Sequence, residues 1–234
     1  MLAELIRANQ PCVALTGAGI STESGIPDFR SADGIWAQYD PYEVASIEAF
    51  RRDPERVWEF YALRLGVLDD ARPNPAHDAL AALERDGLLQ AVITQNVDGL
   101  HHAAGSRDVI EVHGSIRDAV CLACGRRVED VRRLLPLPRC EGCGAVLKPA
   151  VVMFGELLPQ AAIDRATRLA QEAALLLVVG TSLEVWPVAG LPGETLAHGG
   201  KLAIVNRDPT PYDERAALVV HAAAGETLST LSRA

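Results

Sequence analysis

Four of the five cysteines form two CxxC pairs, Cys121 with Cys124 and Cys140 with Cys143, separated by a spacer of fifteen residues. Each CxxC turn can present two thiolates to one metal ion, and this spacing is typical of a ribbon that holds tetrahedral zinc. Four thiolates complete the coordination of the ion and leave no position for water. We therefore predict one structural zinc ion; the alternative is four unrelated buried cysteines.

Glycines, amides, carboxylates and an imidazole follow five apolar runs that have the character of buried strands. They occupy positions 17–19 (Gly-Ala-Gly), 95–98 (Gln-Asn-Val-Asp), 113–114 (His-Gly), 180–182 (Gly-Thr-Ser) and 206–208 (Asn-Arg-Asp). If the strands are parallel, their carboxyl ends meet at one edge of the sheet, where ligands of open α/β folds bind. Core packing does not require this pattern, so it predicts a ligand site at that edge.

The first of these turns, Gly17-Ala18-Gly19, is by itself a weak signal for a phosphate-binding loop. The strict GxGxxG pattern fails because Thr22 stands at the third glycine position. Glycine would still let backbone amides approach a pyrophosphate. The alternative is a tight turn from a strand to a helix.

Six short apolar runs predict the strands that carry these residues. The runs lie at residues 12–16, 91–94, 109–112, 175–179, 202–205 and 217–220. Helical patterns separate several of them, for example over 75–86 and 159–173. The alternation predicts an α/β fold, a Rossmann-like parallel sheet with helices on both faces.

Two stretches interrupt the alternation and predict a small lobe beside the sheet. We assign residues 1–31, 76–117 and 150–234 to the Rossmann-like core. Residues 32–75 form a predicted helical insert, and residues 118–149, which carry the cysteine pairs, form a predicted zinc-ribbon insert.

The composition excludes several classes of protein. The 234-residue chain has a net charge of −9, which argues against general binding to nucleic acid or to anionic membranes. It has no secretory signal and no apolar run of the ~18 residues needed to span a bilayer, so a cytoplasmic protein is expected. A non-enzymatic zinc ribbon that binds nucleic acid remains an alternative, which the acidic charge opposes.

Long motifs spread over nearly the whole chain closely resemble the sirtuin signature. They are TGAGISTESGIPDFRSADGIW at 16–36, TQNVDGLH at 94–101, EVHG at 111–114, KPAVVMFGE at 148–156, GTSLEV at 180–185 and VNRD at 205–208. The resemblance implies an NAD-dependent protein lysine deacylase with a Rossmann-like core and a small zinc-ribbon and helical lobe. The reaction of that family consumes NAD and yields nicotinamide, free lysine and O-acyl-ADP-ribose.

The resemblance also implies roles for individual residues. Positions that would bind NAD are Gly17, Ala18, Gly19, Asp28, Phe29, Arg30, Trp36, Gln95, Asn96, Val97, Asp98, Gly180, Thr181, Ser182, Asn206, Arg207, Asp208 and Ala224. Asn96 and Asp98 would also serve catalysis beside the nicotinamide ribose. A strand VVMFGE would pair with the substrate backbone around the acyl-lysine through Val152, Met153, Phe154, Gly155 and Glu156.

His113 is the predicted general base. It ends an apolar run and precedes Gly114 at the ligand edge, and an imidazole near neutral pKa can take a proton from a ribose hydroxyl. We do not expect the remaining histidines to act as the general base. We interpret His77, His198 and His221 as surface or capping residues, and His101 and His102 as loop positions near the site.

Tyr61 and Arg64 indicate which acyl group the protein would remove. The two residues share a face of a predicted helix. An arginine fork beside a tyrosine hydroxyl suits a carboxylate, and sirtuins that remove succinyl and malonyl groups carry this pair. Ala45 falls where those members have a small residue that opens the acyl pocket. Asp28 instead resembles the deacetylase form, so a mixed deacetylase and desuccinylase is expected. The alternative is that Tyr61 packs the helix and Arg64 is solvated.

Two other enzyme classes share an NAD site. An ADP-ribosyltransferase on the same fold would release nicotinamide in the same early step. An NAD dehydrogenase would instead transfer hydride and regenerate its cofactor. Acylated lysine in proteins or peptides is the expected partner, and we expect a monomer.

Overall fold

The computed structural model describes residues 1–231 of the chain, which form ten α-helices and nine strands in that range. The helices are α1 (Leu2–Ala8), α2 (Ile35–Gln38), α3 (Pro41–Val44), α4 (Ile47–Arg52), α5 (Pro54–Asp70), α6 (Pro75–Arg85), α7 (Leu100–Ala103), α8 (Gln160–Glu172), α9 (Leu191–Ala197) and α10 (Ala224–Leu228). The strands are β1 (Cys12–Thr16), β2 (Ala91–Thr94), β3 (Val109–Glu111), β4 (Gly114–Val120), β5 (Arg127–Val128), β6 (Lys148–Val151), β7 (Leu175–Val179), β8 (Lys201–Val205) and β9 (Leu218–Val220). Short 3₁₀ helices lie at Ala18–Ser24, Val131–Leu134, Val188–Gly190 and Asp213–Arg215.

Six strands form one parallel sheet in the order β3-β2-β1-β7-β8-β9. All six predicted runs are in it, with ends that differ from the prediction by one residue at β3, β8 and β9. Strands β1 and β7 are buried along their whole length, because helices cover both faces of the sheet. The predicted parallel α/β sheet is therefore confirmed.

Alternate residues of β1 pack against helices on opposite faces. Cys12 and Ala14 join a buried cluster with residues of α1, α6 and α10, whereas Val13 and Leu15 join a cluster with residues of α8 and α9. Fully burying one such aliphatic side chain contributes about 1.5–3 kcal/mol. Because the faces alternate with period two, the central strand is held in one register by both layers of helices.

A second, antiparallel sheet has the strand order β5-β4-β6 and packs with helices α2–α5 around a third buried cluster. Trp58 on α5 is fully buried, and its indole Nε1 donates to the carbonyl of Leu147 at 2.7 Å. Arg132 forms an ion pair with Asp69 at 2.5 Å. The cysteine-bearing segment is thus attached directly to α5.

Helix starts follow the capping rules. Asp53 caps α5 and Asn74 caps α6, each followed by proline at the first helical position. His77 completes a capping box on α6, since its Nδ1 accepts from the backbone amide of Asn74 at 3.4 Å. His77 is therefore a capping residue as expected, although it is fully buried. No helix within residues 1–231 is long and apolar enough to cross a membrane.

Candidate active site and metal centre

One large cavity, of about 1140 Å³, opens at the carboxyl edge of the parallel sheet. Its walls include His113 and every residue predicted to bind cofactor, peptide or acyl group. They also include residues that the sequence reasoning missed, among them Ser21, Thr22, Ile26, Pro27, Phe60, Leu157, Glu184 and Trp186. The strand ends, the helical segment 32–75 and residues 152–156 therefore meet around one space.

The glycine turn after β1 packs against the glycine turn after β7. The Gly19 amide donates to the Gly180 carbonyl at 2.8 Å. Gly180 has φ +61°, and a Cβ there would lie 2.2 Å from the amide nitrogen of Ile20. Glycine is required at this position because the two backbones leave no room for a side chain. The close approach leaves the backbone of both turns on the cavity wall.

A buried polar cluster follows β2. The Asn96 amide nitrogen Nδ2 donates to the Gly17 carbonyl and to Ser21 Oγ, both at 3.1 Å. Ser21 Oγ donates to Asp98 Oδ2 at 2.8 Å, and Asp98 Oδ1 accepts from the Leu100 amide at 2.9 Å. All three polar side chains are buried, so this network holds Asn96 and Asp98 in fixed orientations. Ser21 lies inside the first motif, which was its only signal in the sequence.

Gln95 connects the ends of three strands. Its Nε2 donates to Thr181 Oγ1 at 2.9 Å after β7, and its own carbonyl contacts His113 after β3. Residues from separate parts of the chain thus line the cavity beside the Asn96 cluster.

His113 is held through one ring nitrogen and leaves the other available. Its Nδ1 lies 3.1 Å from the Gln95 carbonyl, which can only accept a hydrogen bond, so Nδ1 carries the proton. Burial lowers the pKa of His113, and the Gln95 hydrogen bond partly opposes that shift. Gly114 follows with φ +77°, and a Cβ there would lie 2.1 Å from the Ala150 carbonyl. Because Nδ1 carries the proton, the neutral His113 ring has its lone pair on Nε2, as a general base requires.

Residues 28–36 form a turn at the mouth of the cavity. Asp28 Oδ1 accepts from the amides of Arg30 at 2.9 Å and Ser31 at 2.8 Å. Arg30 Nε forms an ion pair with Glu184 at 3.2 Å, which joins the turn to the segment after β7. The Asp28 carboxylate is thus engaged by backbone amides of its own turn.

Tyr61 and Arg64 both face the cavity from α5, and Ala45 lines it nearby. Burial raises the pKa of Tyr61, which keeps its hydroxyl protonated. The Arg64 guanidinium carbon lies 5.0 Å from the ring centre of Phe29 and 5.8 Å from that of Phe60. Within residues 1–231, Arg64 has no carboxylate partner, although burial lowers its pKa. An unpaired cation beside a buried hydroxyl can receive an anionic group.

The predicted strand over residues 151–156 is wrong beyond Val151, where β6 ends. The Phe154 amide donates to the Ala45 carbonyl at 2.9 Å, and the Phe154 carbonyl accepts from Ile47 at 3.0 Å. Gly155 then turns the chain with φ +87°. The Val152 amide still donates to the His113 carbonyl at 2.9 Å, but the pairing ends there because the backbone of Phe154 bonds to the helical segment.

The loop positions predicted for His101 and His102 are also wrong, because both residues lie in α7. His101 is buried within this short helix, whereas His102 is exposed. The helix follows Gly99, which adopts φ +75°, and its first amide is capped by Asp98. This start depends on a single glycine turn, which the hydrophobic pattern does not reveal.

The four sulfur atoms of Cys121, Cys124, Cys140 and Cys143 all lie within 4.8 Å of one another. Individual Sγ–Sγ distances are 3.4 Å for Cys121–Cys143, 3.6 Å for Cys124–Cys140 and 3.8 Å for Cys124–Cys143. Tetrahedral zinc with bonds of about 2.3 Å places its sulfur ligands about 3.8 Å apart. The donor set and its spacing fit one structural zinc ion, as predicted.

Comparisons with known proteins agree with this geometry. Residues 17–187 match the profile of the Sir2 family. The chain is 47% identical to NAD-dependent protein deacylase 1 of Archaeoglobus fulgidus, over 99% of this chain and 96% of the relative. It is 50% identical to an NAD-dependent protein deacetylase of Sulfolobus acidocaldarius, over 94% of this chain and 88% of the relative.

Solved structures give the same result. A Sir2 homologue in complex with NAD superposes with a TM-score of 0.93 at 46% identity, covering 99% of this chain and 91% of that one. A Sir2 protein with a deacetylated p53 peptide and 3′-O-acetyl ADP-ribose has a TM-score of 0.93 at 41% identity, covering 99% and 96%. Sequence profile, full-length relatives and fold converge, and the chain belongs to the Sir2 family, the sirtuins.

Proposed function

We propose that this protein removes acyl groups from protein lysine in an NAD-dependent reaction that releases nicotinamide and O-acyl-ADP-ribose. The observation that carries the proposal is His113, a neutral imidazole with a free Nε2 on the same cavity wall as Asn96 and Asp98. Membership of the Sir2 family supports it, because the relatives above are named deacylases and deacetylases.

NAD fits the cavity by the chemistry of its walls. The turns at Gly17–Gly19 and at Gly180 would lie against the pyrophosphate, since glycines without side chains let a ligand approach the backbone closely, although the Gly19 amide itself donates to the Gly180 carbonyl. Asn206 and Asp208 after β8 would hold the adenosine half, together with Thr181, Ser182, Arg207 and Ala224. The turn that carries Asp28, Phe29, Arg30 and Trp36 would close over the cofactor, and Gln95, Asn96, Val97 and Asp98 would surround the nicotinamide and its ribose.

When bound, NAD supplies the electrophilic C1′ of its nicotinamide ribose and a neutral leaving group. The acyl oxygen of the substrate is the nucleophile at that carbon. The network of Asn96, Ser21 and Asp98 orients the ribose, because its hydrogen bonds leave little freedom at either side chain. His113 Nε2 accepts a proton from a ribose hydroxyl, which then attacks the acyl carbon. Hydrolysis frees the lysine.

We propose that the acyl groups include both acetyl and the acidic succinyl and malonyl groups. Arg64 would bind the acyl carboxylate through its guanidinium fork, Tyr61 would donate its hydroxyl, and Ala45 would leave room for the longer chain. The lack of an acidic partner for Arg64 within residues 1–231 supports this role. Asp28 is occupied with backbone amides of its own turn, which is compatible with either acyl class.

The acylated peptide would enter beside residues 152–156. Val152, Met153, Phe154, Gly155 and Glu156 line the cavity, and Phe154 is partly exposed at its mouth. Peptide backbone would bind along this irregular segment, where the Phe154 amide and carbonyl are already bonded to Ala45 and Ile47. The zinc ribbon would act structurally, as part of a small lobe of residues 32–75 and 118–149 beside a core of 1–31, 76–117 and 150–234. We further propose a cytoplasmic monomer that has no specific nucleic-acid partner.

The test is mass spectrometry of the products formed from NAD with matched acetyl-lysine and succinyl-lysine peptides. We expect nicotinamide, deacylated peptide and the corresponding O-acyl-ADP-ribose in equal amounts. The His113→Ala variant should keep its circular dichroism spectrum and lose product formation. Full activity of that variant would refute the proposed base. Transfer of labelled ADP-ribose to protein, without acyl-ADP-ribose, would instead indicate an ADP-ribosyltransferase.

A further inference from the structure

Two buried histidines lie behind the Asn96 and Asp98 cluster. His77 on α6 and His101 on α7 have ring centres 4.9 Å apart, and their exposed fractions are 0% and 2%. Neither ring lines the cavity, so neither is placed to touch substrate. Burial lowers the pKa of His101 to about 3, so its ring is neutral in the working range of pH.

The hydrogen bonds of His101 can be assigned donor by donor. The Asn96 backbone amide donates to Thr94 Oγ1 at 3.1 Å, and Thr16 Oγ1 donates to the same oxygen at 2.8 Å. The single hydroxyl proton of Thr16 is therefore used. His101 Nε2 lies 2.9 Å from Thr16 Oγ1, and it donates to that oxygen when Thr16 donates to Thr94. Its Nδ1 is consequently an unprotonated acceptor, buried and without a partner within residues 1–231.

This chain of hydrogen bonds ends at the backbone of a proposed catalytic residue. Thr16 and Thr94 are paired across β1 and β2, at the point where both strands enter the site. Asn96 lies in the turn beyond β2, and its side chain reaches Gly17 beyond β1. The chain from His101 thus ties together the two strand ends that carry the glycine turn and the Asn96 turn.

We propose that His101 is a positioning residue, which acts through Thr16 and Thr94 to fix the Asn96 turn for binding of the nicotinamide half of NAD. The inference rests on the proposed role of Asn96. An aliphatic or aromatic residue would fill the same volume without an unpartnered nitrogen, and a buried unpartnered acceptor destabilises the fold. The presence of histidine at position 101 is explained if the site needs its Nε2 donor to hold Thr16.

Four variants test the series of hydrogen bonds that runs from His101 through Thr16 and Thr94 to the Asn96 amide. His101→Phe keeps a buried ring and removes the donor, whereas His101→Gln keeps an N–H at a similar distance from the backbone. Thr16→Val removes the hydroxyl with little change of shape, and it remains informative if His101→Phe does not fold. His102→Phe is the matched control, because His102 is about half exposed and takes no part in these hydrogen bonds.

Nicotinamide inhibition of deacylation, KM for NAD and KM for peptide are measured, with the unfolding midpoint of each variant. We expect His101→Phe and Thr16→Val to weaken nicotinamide inhibition and kcat by about 5-fold to 20-fold, because one buried hydrogen bond is lost. KM for peptide should change less than about twofold. The double variant should be no worse than either single variant, and His101→Gln should recover most of the loss.

Three results would overturn the inference. In the first, His101→Phe lowers the unfolding midpoint but leaves nicotinamide inhibition and kcat as in His102→Phe, which would make His101 only a core residue. In the second, the effects of His101→Phe and Thr16→Val multiply. The dissociation constant of NAD, measured by calorimetry without peptide, tests the effect of these hydrogen bonds on NAD binding independently of deacylation. A wild-type protein that binds NAD but forms no deacylated product would refute the proposed function, whereas unchanged NAD binding in all variants would refute the positioning role.

Discussion

Replacing Arg64 with methionine tests the acyl specificity most directly. The variant keeps a long apolar stem on α5 and removes the guanidinium fork. In the structure the guanidinium carbon lies 5.0 Å from the ring centre of Phe29 and 5.8 Å from that of Phe60. No acidic side chain within residues 1–231 forms an ion pair with it, although the Asp98 carboxylate interacts with its charge over a longer distance.

The size of the effect follows from the bond that the fork would make. Hydrogen bonds to charged groups contribute about 1.5–3 kcal/mol net, which corresponds to about 12-fold to 160-fold in kcat/KM for a succinyl substrate. Loss of the contact with Phe29 would remove a further ~0.5–1 kcal/mol for acetyl and succinyl substrates alike. The ratio of kcat/KM for the succinyl substrate to kcat/KM for the acetyl substrate therefore depends on the guanidinium fork alone. In Arg64→Met this ratio should fall by about 12-fold to 160-fold.

The assay compares two peptides that differ only in the acyl group on lysine, with deacylated product measured by mass spectrometry. Arg56→Met is the control, because Arg56 lies on the same helix, is 54% exposed and pairs with Glu43 at 2.8 Å. That control should leave the ratio unchanged, and Arg64→Lys should give an intermediate value, since an ammonium keeps the charge without the fork. A ratio that stays within about twofold in Arg64→Met would refute the carboxylate receptor.

Three further measurements bear on the site and its support. Burial lowers the pKa of His113 below its usual 6.5, so its base form persists below that pH. The acidic limb of kcat/KM should therefore lie below pH 6.5, and a limb centred above pH 7 that disappears in a His113 variant would contradict this. Removal of zinc with a chelator should lower both the unfolding midpoint and deacylation, and added zinc should restore them; full activity in protein shown to be free of metal would refute a structural ion. Trp58→Phe leaves the buried Leu147 carbonyl without its donor, at a cost of about 1–3 kcal/mol, and should lower the midpoint by about 2–12 °C. Trp186→Phe, at a residue that is 73% exposed, should change the midpoint far less, and equal shifts would argue against the role of the buried hydrogen bond.

The parallel sheet was predictable because each strand is covered on both faces. Runs such as Leu175–Val179 are wholly apolar for that reason, and their boundaries are visible in the glycines and polar residues that follow. The cysteine pairs were equally informative, since tetrahedral coordination restricts how far apart thiolates can lie in the chain. Local composition carries these signals because burial and coordination select residue types directly.

Other features depend on contacts between distant segments. Residues 152–156 contain β-branched and aromatic residues and look like a strand, yet Phe154 bonds to Ala45 and Ile47 more than a hundred residues earlier. Ser21 was missed because a serine in a turn carries no signal until Asn96 and Asp98 lie beside it. The sequence predicts a loop at His101 because a four-residue helix is too short to show a hydrophobic period.

Residue type and local spacing were sufficient to predict the class of fold, the metal ligands and the set of residues at the carboxyl edge of the sheet. Family resemblance added the expected reaction. Which atoms are free to act follows from long-range contacts: the tautomer of His113, the lack of an acidic partner for Arg64 within residues 1–231 and the hydrogen-bond chain from His101. Those properties depend on partners brought together from separate strands and helices, and no local pattern encodes them.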